Sequence, residues 1–366
     1  MRILHYIPKG QELVTQYVRT LTGAMGTGCE NLVVDDSAEA CNQLQERSFD
    51  ILHIHGCWRN SQAKVVRRAR RSGTRIVVSP HGQLEPWVMA ANYWQEKLPK
   101  LLVYQRHIIS QAYAVIIQGK MEEECMRKLG WNRRTVIIRN SLLTVSITPQ
   151  QMASQTLRLY RKVMDSNPLG VMTANTRQAL RNILKTGITG DVRWLQNEPS
   201  QPQPGDAWQW HSLMGYACQE HIADTVRRGL RLLRLDEPEY HFEEGCCFLP
   251  EGYHPPTSIG DVIGMQFVDE NERLMATFRQ VCRLIASRQL SIAHLVELDK
   301  ELRHHDYDEE LLSEQLQDAG LHRTACRVMQ LMHDLTGLDE GFMPITPLAD
   351  RTTRAIRRQI ESRLEI

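Results

Sequence analysis

A chain of 366 residues that is 42% apolar and 24% charged is long enough for two or three domains with sizeable cores and too apolar to stay disordered. Its net charge of +1 gives no bulk drive toward nucleic acid or an anionic surface. Nine scattered cysteines form no disulfide framework, Met1 leads into an apolar strand rather than a secretory leader, and no apolar run reaches about 18 residues, so a cytoplasmic chain without a membrane span is expected.

The first 145 residues alternate between strand and helix patterns. Residues 3–7 read as a strand, and 12–25 as a helix with Leu13, Tyr17, Leu21 and Met25 at fourfold spacing on one face. Strand 31–34, helix 38–47, strand 51–55 and helix 62–71 follow. Strand 75–79, a helix opened by Glu85-Pro86-Trp87, strand 112–118, an acidic helix and strand 135–139 complete the series. Such alternation predicts a parallel, doubly wound Rossmann-like sheet with helices on both faces. Ligands of such sheets sit beyond the carboxyl ends of the strands. That rule selects Gly10, His55, Gly56, His81, Gly82, Gln118 and Asn140.

After Thr148-Pro149 the pattern becomes helical. Helices are expected over 152–163, 176–184, 217–235, 265–287, 291–304, 309–318, 323–335 and 350–364. The stretch 197–206 is a Pro/Gln-rich loop, and 237–258 is irregular and carries cysteines. The expected domains are 1–148, Rossmann-like, and 149–366, mainly helical, with 259 as the candidate point for a further division.

Several clusters carry chemistry. In Ser79-Pro80-His81-Gly82, Pro80 ends the strand and Gly82 lets a ligand approach the backbone. His81 there is either a hydrogen-bonding or catalytic group at the crevice mouth or a plain turn cap. Glu85 sits where a helix dipole favours an acid, so helix initiation accounts for it equally well. His53 and His55 share one strand face, but a metal needs a third ligand and none is evident nearby, so no metal and no cofactor are expected. His53 is read as packing against a covering helix. The first loop has only Gly10 where a dinucleotide fingerprint needs three glycines, and no Walker A, HExxH or GxSxG motif occurs. His241, Cys246, Cys247 and His254 gather in fourteen residues, but adjacent cysteines suit one ion poorly, and free thiols in a loop are the plainer reading. Arg67, Arg68, Arg70 and Arg71 read as a solvated helix face, with peripheral lipid contact as the sharper alternative. Residues 309–335 have a helix-turn-helix outline but lack a basic patch, so nucleic acid is not expected as a partner.

SPHGQLEPWVM, DILHIHGCW, AYAVIIQGKMEEECMRKLGW and TVIIRNSLL, in that order, resemble the acceptor half of GT-B glycosyltransferases of the family 4 type. The departures are Lys9-Gly10-Gln11 for a Gly-Gly loop, Gln118-Gly119-Lys120 for a hydroxyl pair, and Arg139-Asn140-Ser141 for Pro-Asn-Gly. The family's donor domain, with its Arg, Lys and Glu-x₇-Glu, has no counterpart in the second half. The resemblance implies a glycosyltransferase-like protein of polysaccharide or glycoconjugate biosynthesis that binds a glycan or lipid-linked acceptor. His81 would be the catalytic candidate, with Gly10, His55, Gly56, Gly82, Glu85, Gln118 and Asn140 at the acceptor. Activity in its own right stays open: either a partner chain supplies the donor half, or a divergent donor site lies unrecognised among the helices. The alternative is a non-catalytic scaffold or regulator acting through its helical half.

Overall fold

The computed structural model describes residues 1–194, 204–236, 245–264 and 267–366. The chain forms two compact units, Met1–Asp165 with Gly245–Phe248, and Ser166–Glu244 with Leu249–Ile366.

The first unit runs β1 (Arg2–Tyr6), α1 (Glu12–Met25), β2 (Glu30–Val34), α2 (Ser37–Glu46), β3 (Ile51–His55), α3 (Asn60–Arg71), β4 (Arg75–Ser79) and α4 (Pro86–Ala90). It continues through α5 (Leu98–Lys100), α6 (Arg106–Ser110), β5 (Ala114–Ile117), α7 (Lys120–Leu129), β6 (Thr135–Ile137) and α8 (Pro149–Asp165). The six strands are parallel, in the order β2-β1-β3-β4-β5-β6. The expected Rossmann-like sheet is therefore present, and its order reverses between β1 and β3.

Alternation along each strand divides the sheet into two faces. Leu4, Tyr6, Leu52, Ile54, Ile76 and Val78 pack with Ala40 and Leu44 of α2 and with Val65, Val66 and Ala69 of α3. The other face turns His5, His53, His55 and Ser79 toward Tyr17 of α1 and Tyr160 of α8. Register makes this inevitable, since His5 stands beside His53 and His55 beside Ser79. Helix α8, just past the change of sequence pattern, belongs to this unit.

The second unit comprises α9 (Pro168–Val171), α10 (Ala174–Thr189), α11 (Ala207–Gln219), α12 (Ala223–Leu232), α13 (Ile259–Ile263), α14 (Glu270–Ala286), α15 (Ile292–His304), α16 (Glu309–Asp318), α17 (His322–Leu335) and α18 (Arg351–Glu361). Among the described residues it has no strand. Helix α15 is apolar on two sides. Leu295, Leu298 and Leu302 join the cluster of α14 and α16–α18, while Ile292, Ala293 and Val296 join that of α9–α12. A helix so placed must be buried. Its polar Asp299 is fully buried and is held by Arg303 and by Thr336 Oγ1, both at 2.5 Å.

Some local expectations are corrected. The helix predicted over 217–235 is two helices, because His221 takes a left-handed conformation (φ 58°) and the Ile222 N–H closes onto the Ala217 carbonyl. Leu13 is 77% exposed, and Val14 and Val18 join Tyr17, Leu21 and Met25 on the buried stripe instead. Helix α14 starts at Glu270, capped by Asp269, rather than at 265; Met265 lies outside the described residues. The loop 197–206 is described only from residue 204 onward. Residues 309–335 form a helical hairpin around Gly320. No described helix is long and apolar enough to cross a membrane.

Candidate functional site

Four histidines from β1, β3 and the loop after β4 meet at the carboxyl edge of the sheet, where the strand order reverses. Gln118 Nε2 lies 2.8 Å from His81 Nδ1, His81 Nε2 lies 3.0 Å from His55 Nδ1, and His55 Nε2 lies 3.0 Å from His5 Nδ1. The series ends at Asn31 Oδ1, 3.1 Å from His5 Nε2. One assignment of protons satisfies every link. Asn31 turns its amide nitrogen to the Cys29 carbonyl, so its oxygen faces His5 and only accepts. His5 then carries its proton on Nε2 and accepts at Nδ1. His55 and His81 must each donate from Nε2 and accept at Nδ1, and Gln118 donates at the outer end. His53 stands beside this series, bonded to Tyr160 Oη at 2.6 Å and Ser79 Oγ at 2.7 Å. The expectation that His53 packs on a covering helix is met in this form.

These rings are neutral. His5, His53 and His55 have no exposed surface, and burial is the leading cause lowering each below the ordinary histidine range, His5 to about 4. His81 is half-buried, edge-on to Tyr17 at 4.8 Å, and burial lowers it to about 3. Unpaired polar groups in such a place would cost about 1–3 kcal/mol each, which is why the rings bond to one another.

The surrounding loops are held by side-chain amides and one acid. His81 and Gly82 both have positive φ, 55° and 76°. The Gly82 N–H donates to Glu122 Oε1 (2.9 Å) and the Gln118 N–H to Glu122 Oε2 (3.2 Å). Glu122 is 1% exposed, and burial raises its pKa against the pull of these bonds. Gln62 bonds the carbonyls of His55 and Gly56, and Gln83 and Gln105 take the N–H groups of Cys57 and Trp58. Gly56 (φ 76°) passes so close to Gln11 that a Cβ there would lie 2.6 Å from Gln11 Oε1. That oxygen is buried and has no hydrogen-bond partner.

Residues 18–141 match the family model of the glycosyl transferase 4-like domain. No curated protein and no solved structure matches the chain. The N-terminal part is thus glycosyltransferase-like, and the match lies wholly within the first unit.

Of the residues selected from sequence, His55, His81 and Gln118 are joined directly to one another, and Gly56 and Gly82 flank them. Gly10 is exposed in the β1–α1 loop. Glu85 is not in the first turn of a helix. It is the extended residue before α4, and its carboxylate accepts the Trp87 indole N–H at 2.7 Å. Asn140 serves its own turn, accepting the Leu142 N–H at 2.9 Å. Sequence reasoning missed His5, Tyr17, Tyr160 and Glu122. His5 is the third imidazole that the His53/His55 pair was thought to lack. Glu122 stands third in the acidic helix after β5. His241 lies outside the described residues, while Cys247 is buried and Cys246 partly so. A cavity of about 1170 Å³ lies in the helical unit, lined by residues between Ser258 and Asp308, and none of the four site histidines borders it.

Proposed function

We propose that the Rossmann-like domain of residues 1–148 binds a glycan or lipid-linked acceptor in polysaccharide or glycoconjugate biosynthesis, and that a partner chain supplies the donor half. The carrying observation is His81, a partly buried imidazole fixed in a left-handed turn by His55 and Gln118. A base with a pKa near 3 takes few protons at neutral pH, so His81 acts by hydrogen bonding and orients the acceptor hydroxyl. Gly10 and Gly82 allow close backbone approach, Glu85 lines the outer turn, and Asn140 shapes the end of the domain. No metal is assigned to the transfer. A separate donor-bearing chain is supported by the second unit, Ser166–Glu244 with Leu249–Ile366, which has no strand among its described residues. Transfer needs the leaving diphosphate stabilised while the acceptor is held in line, and the histidine edge supplies only the latter.

Calorimetric titration with free and lipid-linked oligosaccharides and with UDP- and GDP-sugars tests this reading. One acceptor class should bind, nucleotide sugars should give no heat, and His81→Ala should weaken the acceptor about two- to tenfold with an unchanged melting temperature. Acceptor binding that ignores His81→Ala would sink the site assignment. A chain that binds neither class would leave the scaffold reading.

A further inference from the structure

We infer that His5, His53 and His55 form a binding site for a divalent ion of the zinc class at the point where the sheet order reverses. This goes beyond the acceptor reading and does not depend on it.

One nitrogen from each ring lies within 4.8 Å of one nitrogen from each of the others. Zinc–imidazole bonds of about 2.0–2.1 Å in tetrahedral geometry place ligand nitrogens roughly 3.3 Å apart. His5 Nδ1 and His55 Nε2 are already 3.0 Å apart. Two ring nitrogens at that distance share one proton, so a lone pair already points into the site. Three imidazoles without a thiolate or carboxylate suit zinc, copper or nickel and discriminate against magnesium and calcium.

The outer nitrogens carry the support that metal-binding histidines need. His5 Nε2 is held by Asn31 Oδ1 and His55 Nδ1 by His81 Nε2. His53 has Tyr160 Oη on one nitrogen and Ser79 Oγ on the other, so it gives up one bond and keeps the second as its anchor. His5 needs no tautomeric change, because its proton is already on the outer nitrogen. His55 does need one. Its proton must leave Nε2 for Nδ1, and it then donates to His81. His81 in turn must carry its proton on Nδ1 and face the amide oxygen of Gln118 instead of the nitrogen. No net proton is gained or lost along this line; the His5–His55 hydrogen bond is replaced by two bonds to the ion, and the links outward from His55 and from His5 stay hydrogen-bonded. Ion binding thereby reverses the half-exposed end of the series, turning His81 Nδ1 from an acceptor into a donor.

Titration of the full chain with Co²⁺, read by its visible tetrahedral absorption, tests the site, with Zn²⁺ competing. The expected result is about one ion per chain, displaced by zinc, with Asn31→Ala or His81→Ala weakening it about 10- to 100-fold and His5→Gln abolishing the band. Circular dichroism verifies that the variants fold, and His304→Ala should leave the titration unchanged. Nitrogen-15 NMR of the imidazoles in unaltered protein gives a second readout: zinc should move the His81 proton from Nε2 to Nδ1. A band that survives in folded His5→Gln, the absence of a tetrahedral band, or a His81 tautomer indifferent to zinc would each overturn the assignment.

Discussion

At the scale of single residues, the site depends on groups that never reach its surface. Glu122 receives N–H groups from the loops after β4 and β5, and so fixes His81 and Gln118 relative to each other. Removing its carboxylate strands two donors in a place with almost no water. Glu122→Ala is therefore expected to cost about 2–6 kcal/mol in urea unfolding, from roughly 1–3 kcal/mol for each unsatisfied group. Glu122→Gln keeps one acceptor oxygen and should cost less than half as much. Equal losses for the two variants would show that the bonds are not what holds the loops. The sequence named His55, His81 and Gln118 because strand ends mark where ligands bind. It did not yield His5, because His5 meets His53 only through the pairing of β1 with β3, and pairing register has no local signature. Tyr17 and Tyr160 were hidden for the same reason. Tyr17 reads as an apolar stripe residue and Tyr160 as one position of an unremarked helix, and only the packing of α1 and α8 on the sheet shows that they border imidazoles.

At the scale of elements, the alternation of the first unit was legible because a parallel sheet buries both faces and writes continuous apolar runs into the chain. The helical half was legible as helices but not as a packing arrangement. Helices α10 and α12 approach so closely that a Cβ on Gly187 would lie 2.1 Å from the Thr225 carbonyl, and one on Gly229 would lie 2.1 Å from the Ile183 carbonyl. The contact is reciprocal, with Ile183 and Gly187 four apart on one helix and Thr225 and Gly229 four apart on the other. Within an isolated helix, Gly→Ala should stabilise by up to about 1 kcal/mol. Here backbone oxygen blocks the methyl group, and backbone cannot step aside as a flexible side chain does. Gly187→Ala and Gly229→Ala are each expected to destabilise by about 1–3 kcal/mol, as overpacking does, measured by chemical denaturation. A neutral or stabilising outcome for both would mean the helices are farther apart. The break at His221 was equally invisible, since nothing in the apolar spacing of 217–235 marks a left-handed residue.

At the scale of the whole molecule, the two units keep buried charge in different ways, and the helical unit makes this measurable. Glu220 has no exposed surface, and its partner Arg363 comes from the last turn of the chain, 3.3 Å away. Arg363 also donates to the carbonyls of His254 and Gln289 and lies over the Tyr253 ring, so one guanidinium ties four separate segments of the unit. Its charge only partly offsets burial, which raises Glu220 to about 7, and Glu220 Oε2 has no hydrogen-bond partner. The folded-state pKa lies above the unfolded value of 4.5, so between those limits the native state holds the extra proton. Stability from this group is therefore present below about pH 4.5 and is lost as pH rises toward 7, at up to about 1.4 kcal/mol per pH unit. Glu220→Gln should flatten that component, and the unaltered protein should lose roughly 2–3 kcal/mol more than the variant between pH 4.5 and 7 in urea unfolding. Arg363→Met should cost about 3–5 kcal/mol at neutral pH by leaving a buried carboxylate unpaired. The same variant should cost distinctly less at pH 5, where Glu220 is protonated and needs no counter-charge. Parallel pH profiles for the unaltered protein and Glu220→Gln would show that Glu220 titrates as an ordinary surface acid. In that case the C-terminal turn would be held by the carbonyl and ring contacts of Arg363 alone.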